Sequence, residues 1–412
     1  MAKPNPYIVG IDIGSSKVGV LIAQRTEDGA VEVVGKGRSP NRGTRRGNVV
    51  NVETTVEALK DACEEAEVMA GIEISRAYVG IAGADIRSFN SKGMVSVARK
   101  DREVTYQDIE RVLEAAQSAA LPQEREILHA IPQEFILDDQ GGIADPMGML
   151  GSRLEVAVHL VTGQVTRSKT LLTCVNRAGI EVEELVFENL ATAEAVLTHD
   201  ERELGVLLVD IGAGTSDYAF FGDGEVQHSA VLPVGAGHFT SDLATVLRTP
   251  FAEAEQIKTQ KGCCLDSLVG AEEGVSVPTV GGGATRVVPK REICEILQPR
   301  GEELFQIIQR DLSRMKMADS LRAGVVLTGG GAQLDGLLEL AEQIFNTSVR
   351  YGLPRGLGGL VDVINCPTWC TTSGLLRYGV SSEKRRIRNR SRPGFSMRQM
   401  VGSIRNMFED LL

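Results

Sequence analysis

The chain has no apolar run close to the roughly 18 residues that a membrane-crossing helix needs, and no early stretch shaped like a secretory signal. Any membrane role is therefore expected to be peripheral. Positive charge is also in short supply. The 44 Lys and Arg stand against 55 Asp and Glu, a formal net charge of -11, which argues against nucleic-acid binding because phosphates need cationic neutralisation. Seven cysteines make no framework: Cys263 and Cys264 are adjacent, Cys366 and Cys370 are separated by Pro-Thr-Trp, and paired CxxC knuckles are missing. The five histidines (His129, His159, His199, His228 and His238) are scattered, so no four ligands gather for a structural zinc. Reduced thiols in a cytosolic setting are the simpler expectation. At 412 residues the chain is too long for one small core, and two or more subdomains are expected.

Two turns then stand out. Tyr7-Ile-Val-Gly-Ile-Asp-Ile-Gly-Ser-Ser-Lys-Val-Gly-Val reads as an apolar strand, a tight turn and a second strand. Gly14 lets the backbone approach a phosphate closely, and successive amides there can point at the anion. Ser15, Ser16 and the Lys17 ammonium complete a cradle, while Asp12 is placed to hold a hydrated magnesium ion. Leu204-Gly-Val-Leu-Leu-Val-Asp-Ile-Gly-Ala-Gly-Thr-Ser-Asp-Tyr-Ala-Phe-Phe repeats the pattern. Asp12 and Asp210 head the two copies nearly half the chain apart, so the halves are similar and their turns can clamp a nucleotide between them. One such turn is weak evidence. A duplicated one with an aspartate in each copy is hard to obtain by chance.

A third element, Ala323-Gly-Val-Val-Leu-Thr-Gly-Gly-Gly-Ala-Gln-Leu-Asp-Gly-Leu, reads as a buried strand, a glycine turn and a helix over roughly 333–345. Between the second and third elements, a charged helix ending at Gly262 places Glu255 and Lys258 one turn apart on a shared face.

The loops at 9–20, 205–221 and 323–337, in this order, resemble those of the actin, heat-shock chaperone and sugar-kinase ATPase superfamily. The resemblance implies an α/β, actin-like ATPase fold with two ribonuclease-H-like lobes, binding ATP with Mg2+. It implies Asp12, Gly14, Ser15, Ser16 and Lys17 as the first phosphate loop, and Asp210, Gly212, Gly214, Thr215 and Asp217 as the second. Asp12 and Asp210 would hold the metal. Gly329, Gly330, Gly331 and Ala332 would face the adenosine, with Glu255 and Lys258 near the ribose. Glu188 falls where chaperone-type members keep a water-positioning glutamate, but Asn189 follows it where a proline is common. Slow turnover at most is expected, since attack on the γ-phosphate needs an oriented water.

Within the superfamily, His129-Ala-Ile-Pro-Gln-Glu-Phe, Phe251-Ala-Glu-Ala-Glu-Gln-Ile-Lys, Val277-Pro-Thr-Val-Gly-Gly and Ile296-Leu-Gln-Pro-Arg-Gly-Glu-Glu-Leu resemble the FtsA family of bacterial division proteins, from about residue 7 to the end. That resemblance implies subdomain IA at 1–83 and 154–203, IIA at 204–240, IIB at 241–310, and 311–380 returning through IIA to IA. A small α/β subdomain, IC, is expected at 84–153, between a strand at Arg76 and another of the same lobe at Leu154–Val161. Inside it, Thr105-Tyr-Gln-Asp should cap a helix whose buried face carries Ile109, Val112, Leu113 and Ala116. The family implies a homopolymer filament, recruitment of other divisome membrane proteins, and capture of the FtsZ C-terminal peptide by IIB. Arg286, Lys290, Arg291 and Arg300 are the candidate anion partners, Arg300 foremost because it follows Pro299 at an expected helix boundary.

The end of the chain has its own character. Residues 381–394 are basic and have little to bury, so a disordered linker is expected. Residues 395–412 then place Phe395, Met397, Met400, Val401, Ile404, Met407, Phe408 and Leu411 along one helical stripe, with Arg405 on its flank. An amphipathic helix behind a basic linker suits an anionic membrane surface, and the FtsA resemblance implies the cytoplasmic face of the inner membrane at the division site. Marginal binding by one copy would be multiplied by polymerisation. The related actin-like protein of type IV pilus assembly is the alternative reading, and a sugar or acid kinase a more distant one.

Overall fold

The computed structural model describes residues 6–390 apart from 27–29, 100, 119, 271–272 and 282–284. Two sheets of like construction carry the chain. The first has six strands in the order Glu181–Phe187, Arg76–Ile81, Tyr7–Ile13, Lys17–Arg25, Val31–Pro40 and Gly358–Gly359. The second has five, in the order Glu225–Leu232, Ser216–Gly222, Val206–Ile211, Val325–Thr328 and Val349–Tyr351. In both, an antiparallel meander of three strands leads, through its first strand, into parallel neighbours. The sequence repeat is thus a repeat of topology.

The near-continuous apolar strands follow from burial on both faces. Val9, Ile11 and Ile13 pack with Leu59, Ala62 and Ala66 of the helix Val52–Ala70. Ile8, one position out of phase, packs with Leu375 and Leu376 of the last helix, Cys370–Arg390. Alternate residues of one strand therefore feed two cores. The connecting helix Glu188–Val196 shares a further cluster with the second sheet, through Ala193, Val196, Leu208 and Val326.

A four-stranded antiparallel sheet is inserted into the first lobe, in the order Arg87–Ser96, Arg153–Gln164, Arg125–Leu137 and Gln140–Ile143. The strand at Leu154–Val161, expected in the first lobe, belongs to this inserted sheet instead. Pairing decides this: within the strand Arg153–Gln164, residues Leu154–Thr162 are paired on both sides with inserted strands, which a strand of the lobe sheet could not be. The helix Tyr106–Gln117 covers the sheet, with Val112 and Ala116 fully buried and Ile109 and Leu113 packed beside them. The Asp108 carboxylate caps its start, accepting from the Thr105 amide and hydroxyl.

The inserted sheet is seamed to the second lobe along the edge strand Glu225–Leu232. Asn90 and Gln133 donate side-chain amide hydrogens to the carbonyls of Gln227 and Val226. Buried His159 gives its Nδ1 proton to Asn90 Oδ1 at 2.6 Å and accepts from the Ser229 hydroxyl at Nε2, 2.9 Å away. Burial, and secondarily the charge of His228, lowers the His159 pKa to about 4. The unfolded histidine takes a proton below about 6.5 while the folded one refuses it until about 4, so stability is lost as pH falls through that window. Between pH 7 and 5 this amounts to about 2 kcal/mol. His159→Gln should flatten that part of the melting-temperature profile; parallel profiles for variant and wild type would show that His159 is not the cause.

Three expectations about element ends are corrected. The helix foreseen at 333–345 starts only at Leu337, after a short 3-10 turn at Gly330–Gln333, because Gly336 sits at a positive φ of 75° and breaks the run. Pro299 and Arg300 lie inside a 25-residue helix, Lys290–Arg314, not at its boundary. Ile293, Leu297, Leu304 and Phe305, buried on either side, hold the helix through the bond that proline cannot make. The final helix runs to Arg390, ten residues into the stretch expected to be a linker. From Ser381 to Arg390 the sequence has no glycine or proline, Ser382 is buried against Glu184, and Glu383 pairs with Arg25 at 2.5 Å. Residues 391–412, with the whole expected amphipathic stripe, lie outside the described residues; among those described, no helix is long and apolar enough to cross a membrane.

Candidate functional site

The two turns seen in the sequence fold alike. In the first, the Gly14 amide donates to the Lys17 carbonyl at 2.9 Å; in the second, the Gly212 amide donates to the Thr215 carbonyl at 2.9 Å. Each is braced from behind. Asn41 donates to the Gly14 carbonyl, and the Ala236 and Gly237 amides, opening the helix Ala236–Leu247, donate to the carbonyls of Gly212 and Ala213. The turns face each other closely: a side chain at Gly214 would put its Cβ 2.6 Å from Ser15 Oγ and 2.9 Å from the Arg46 backbone. Ser15 Oγ in turn accepts from the Gly47 amide at 3.0 Å. Gly47 and Arg46 also line a cavity of about 710 Å3, with Ile13, Gly80, Arg167 and Pro233.

Four carboxylates gather where the lobes meet. Asp12 and Asp210 end the central strands, Asp217 is on the strand after the second turn, and Glu188 opens the connecting helix. Burial raises all four pKa values, and mutual repulsion adds to this at Glu188, Asp210 and Asp217. Glu188 stands well above the usual carboxylate range, driven by burial and then by Asp12, Asp217 and Asp210. Asp210 is pushed up to about 6, with the Thr371 hydroxyl working against its burial. The Lys17 ammonium opposes the charge of Asp12, but burial lowers its own pKa. Lys17 is not free in the cradle as expected: its Nζ donates to the Thr368 carbonyl at 2.7 Å and lies 4.7 Å from the Trp369 ring centroid.

A magnesium ion fits this charge balance. Buried, mutually repelling acids want a cation, and Asp217 Oδ1 is enclosed without a hydrogen-bond partner. Among the described residues no three His, Cys, Asp or Glu side chains converge tightly enough to ligate an ion directly. Asp12 and Asp210 would therefore hold it through water and ligand oxygens, the mode magnesium favours.

The glycine turn of the third element is shaped by Asp210. Gly329 has a φ of 83°, and a Cβ there would meet Asp210 Oδ1 at 2.3 Å, so only glycine fits. Gly331 is pressed against Ile211, and Ala332 is fully buried in the core of the second lobe, with Leu327 and Leu337, not turned to the cleft as expected. Gly330 alone of the four has open space, its nearest neighbour being Thr368 Oγ1 at 4.0 Å.

Glu255 and Lys258 do pair, at 2.8 Å, but Lys258 is buried and also donates to the Thr240 hydroxyl and the Ala236 carbonyl. The pair thus ties its helix to the one that braces the second turn. Each candidate anion partner is engaged internally: Arg286 by the Leu247 carbonyl, Lys290 by Glu273, Arg291 by Asp266, and Arg300 by Asp242 and Glu303. The structure spreads them over a hairpin strand and three turns of helix without gathering them into one cluster.

Sequence reasoning missed the segment Pro367–Thr371. Thr368 links Lys17 in one lobe to Gln333 in the other, and Thr371 donates to Asp210. Nothing in a Pro-Thr-Trp-Cys-Thr string marks it as part of a site; only folding brings it between the lobes.

Comparison with known proteins gives a consistent result. The family model described as "SHS2 domain inserted in FTSA" matches residues 83–162, and the one described as "Cell division protein FtsA" matches residues 207–374. The first span agrees with the inserted sheet and the corrected place of its strand Arg153–Gln164. The chain is 47% identical to the cell division protein FtsA of Pseudomonas aeruginosa over 91% of this chain and 90% of that protein. It is 39% identical to FtsA of Escherichia coli K12 over 92% of each. Among solved structures, the PilM–PilN type IV pilus biogenesis complex aligns with a TM-score of 0.66 at 16% identity, covering 90% of this chain and 98% of that one. MreB5 of Spiroplasma citri bound to ADP aligns at 0.57 and 14% identity, covering 93% and 99%. These two likenesses show the fold alone: actin-like, α/β, with an inserted subdomain.

Proposed function

Because the chain belongs to the FtsA family of actin-like cell division proteins, we propose that it binds ATP with Mg2+ between its lobes, polymerises, and ties the FtsZ ring to the inner membrane. The observation that carries the nucleotide part is the pair of facing turns. Two like-built turns, one from each lobe, approach each other closely beside mutually repelling carboxylates that Lys17 only partly balances. A bound nucleotide brings phosphate oxygens and its cation brings the missing positive charge. Residues of this chain then do the holding: Ser15, Ser16 and Thr215 with the turn amides on phosphate, Asp12 and Asp210 on the hydrated ion, and the turn at Gly330 beside the base.

Fast hydrolysis is not part of this reading. Burial and then the charges of Asp12, Asp217 and Asp210 hold Glu188 well above the usual carboxylate range, which disfavours the ionised form that orients water. Nucleotide state is read as controlling assembly, with slow turnover. IIB would take the acidic FtsZ peptide by exchanging an internal carboxylate for the peptide's, Arg300 being held by the Asp242 pair in the meantime. The stripe at 395–412 would lie on the lipid surface at the cytoplasmic face, and the inserted subdomain would meet filament neighbours and divisome membrane proteins. The pilus reading keeps only a shared fold at 16% identity, against 47% to a division protein.

The deciding experiment is electron microscopy of the protein on anionic liposomes with Mg-ATP, beside protein lacking residues 395–412. Filaments coating membranes only in the full-length sample are expected. Bare membranes in both samples would remove the adaptor reading.

A further inference from the structure

Two threonines that hold Asp210 at the lobe junction are not used by the reading above. Asp210 Oδ2 accepts from Thr371 Oγ1 at 2.9 Å and from Thr192 Oγ1 at 3.3 Å, and the two hydroxyls lie 3.1 Å apart. Thr192 and Thr371 are buried, Asp210 nearly so. The three residues come from three elements. Asp210 ends the central strand of the second lobe, Thr192 lies in the connecting helix Glu188–Val196, and Thr371 is in the first turn of the last helix. Those two helices are in direct backbone contact, since a Cβ on Gly374 would fall 1.9 Å from the Ala191 carbonyl oxygen. The last helix also lies on the first lobe's strand, where a Cβ on Gly10 would meet the Thr372 carbonyl at 2.9 Å. A carboxylate of one lobe is therefore gripped by hydroxyls anchored to the other.

We propose that Thr192 and Thr371 are positioning residues that fix the rotation of the Asp210 carboxylate, and so set how much a divalent cation adds to nucleotide affinity. This rests on the nucleotide reading. With Oδ2 engaged by two hydroxyls, Oδ1, which lies against Gly329, is the oxygen left for a water of the cation. A carboxylate with one oxygen anchored twice cannot swing, which is what preorganises it for an ion held through water. The hydroxyls also tie cation binding to the angle between the lobes, because moving either helix relative to the strand stretches the same hydrogen bonds.

The test measures ATP affinity calorimetrically in Mg2+ and in EDTA, using full-length wild type, Thr371→Val, Thr192→Val, the double variant and Thr371→Ser. Valine keeps the shape and deletes the hydroxyl. Thr371→Val should reduce the gain in affinity from Mg2+ about tenfold, a hydrogen bond to a charged group, while affinity in EDTA stays within about twofold. Thr371→Ser should restore the gain, and the double variant should lose little more than Thr371→Val, as expected of groups acting as a unit. Equal losses in Mg2+ and EDTA would reveal a merely structural role and overturn the proposal, as would an undiminished gain. Wild-type protein that binds no ATP in either condition would overturn the nucleotide reading and this proposal together.

Discussion

Replacing Asp210 by asparagine is expected to abolish most Mg-dependent ATP binding while leaving the protein folded, and even slightly more stable without ligand. Two effects of opposite sign follow from one charge. In the ligand-free protein the Asp210 carboxylate is buried beside Asp12, Asp217 and Glu188 and raises the pKa values of the last two, so removing its charge relieves repulsion. Asparagine keeps an oxygen for the Thr371 and Thr192 hydroxyls, which also lie within 3.1 Å of each other. Neither hydroxyl loses its acceptor, so that part of the buried network is kept, and the two donors that the amide adds are set against the repulsion relieved. In the complex, that same charge is half of what would hold the cation. Its loss should cost about 2–4 kcal/mol, or roughly 30- to 1,000-fold in affinity. Calorimetry with Mg-ATP and thermal melting of the ligand-free protein check both halves. Unchanged affinity would take Asp210 out of the site, and a sharply lowered melting temperature would show that the four acids are held together by something other than the missing cation.

The second large effect concerns Gly374, where the last helix crosses the connecting helix. Its Cβ would stand 1.9 Å from the Ala191 carbonyl oxygen and 2.9 Å from the Thr192 amide, so Gly374→Ala drives one helix backbone into another. Helix propensity works the other way, favouring alanine by about 1 kcal/mol. The clash wins because neither partner is a flexible side chain, and a net loss of about 3 kcal/mol is expected in urea unfolding. Gly379→Ala provides the contrast. Its Cβ would meet the Tyr78 ring at 2.7 Å, and a ring can shift where a backbone cannot, so a smaller loss is expected. Folded Gly374→Ala protein should also bind Mg-ATP less well, because pushing the helices apart pulls Thr371 and Thr192 away from Asp210. Equal stability of the two variants would mean that the crossing is looser than this geometry requires.

The sequence by itself determined the elements whose reasons are local. The two Asp-Ile-Gly turns were legible because a phosphate turn needs glycine, small hydroxyl residues and an aspartate within six positions, flanked by apolar strands. The Thr105 cap, the amphipathic helix after it and the Glu255–Lys258 pair were legible for the same reason: each depends on residues no more than a turn or two apart. Their duplication pointed to the actin-like fold before any contact was seen. Where one element ends and another begins was less visible. The strand at Leu154–Val161 reads as a lobe strand by composition, and only its neighbours on both sides assign it to the inserted sheet.

Tertiary structure alone decided the rest. Lys17 looks like a phosphate ligand in sequence, yet its ammonium is held by a carbonyl 351 positions away. The candidate anion-binding arginines look free until Asp242, Asp266 and Glu303 are folded against them. The threonines on Asp210 carry no motif, since a hydroxyl is informative only once something needs it. Long-range electrostatics and close helix crossings arise from residues distant in the chain, and no periodicity in the sequence records them. The separation is physical: local steric and hydrogen-bond preferences wrote the turns, while packing of the two lobes made the buried charge beside them.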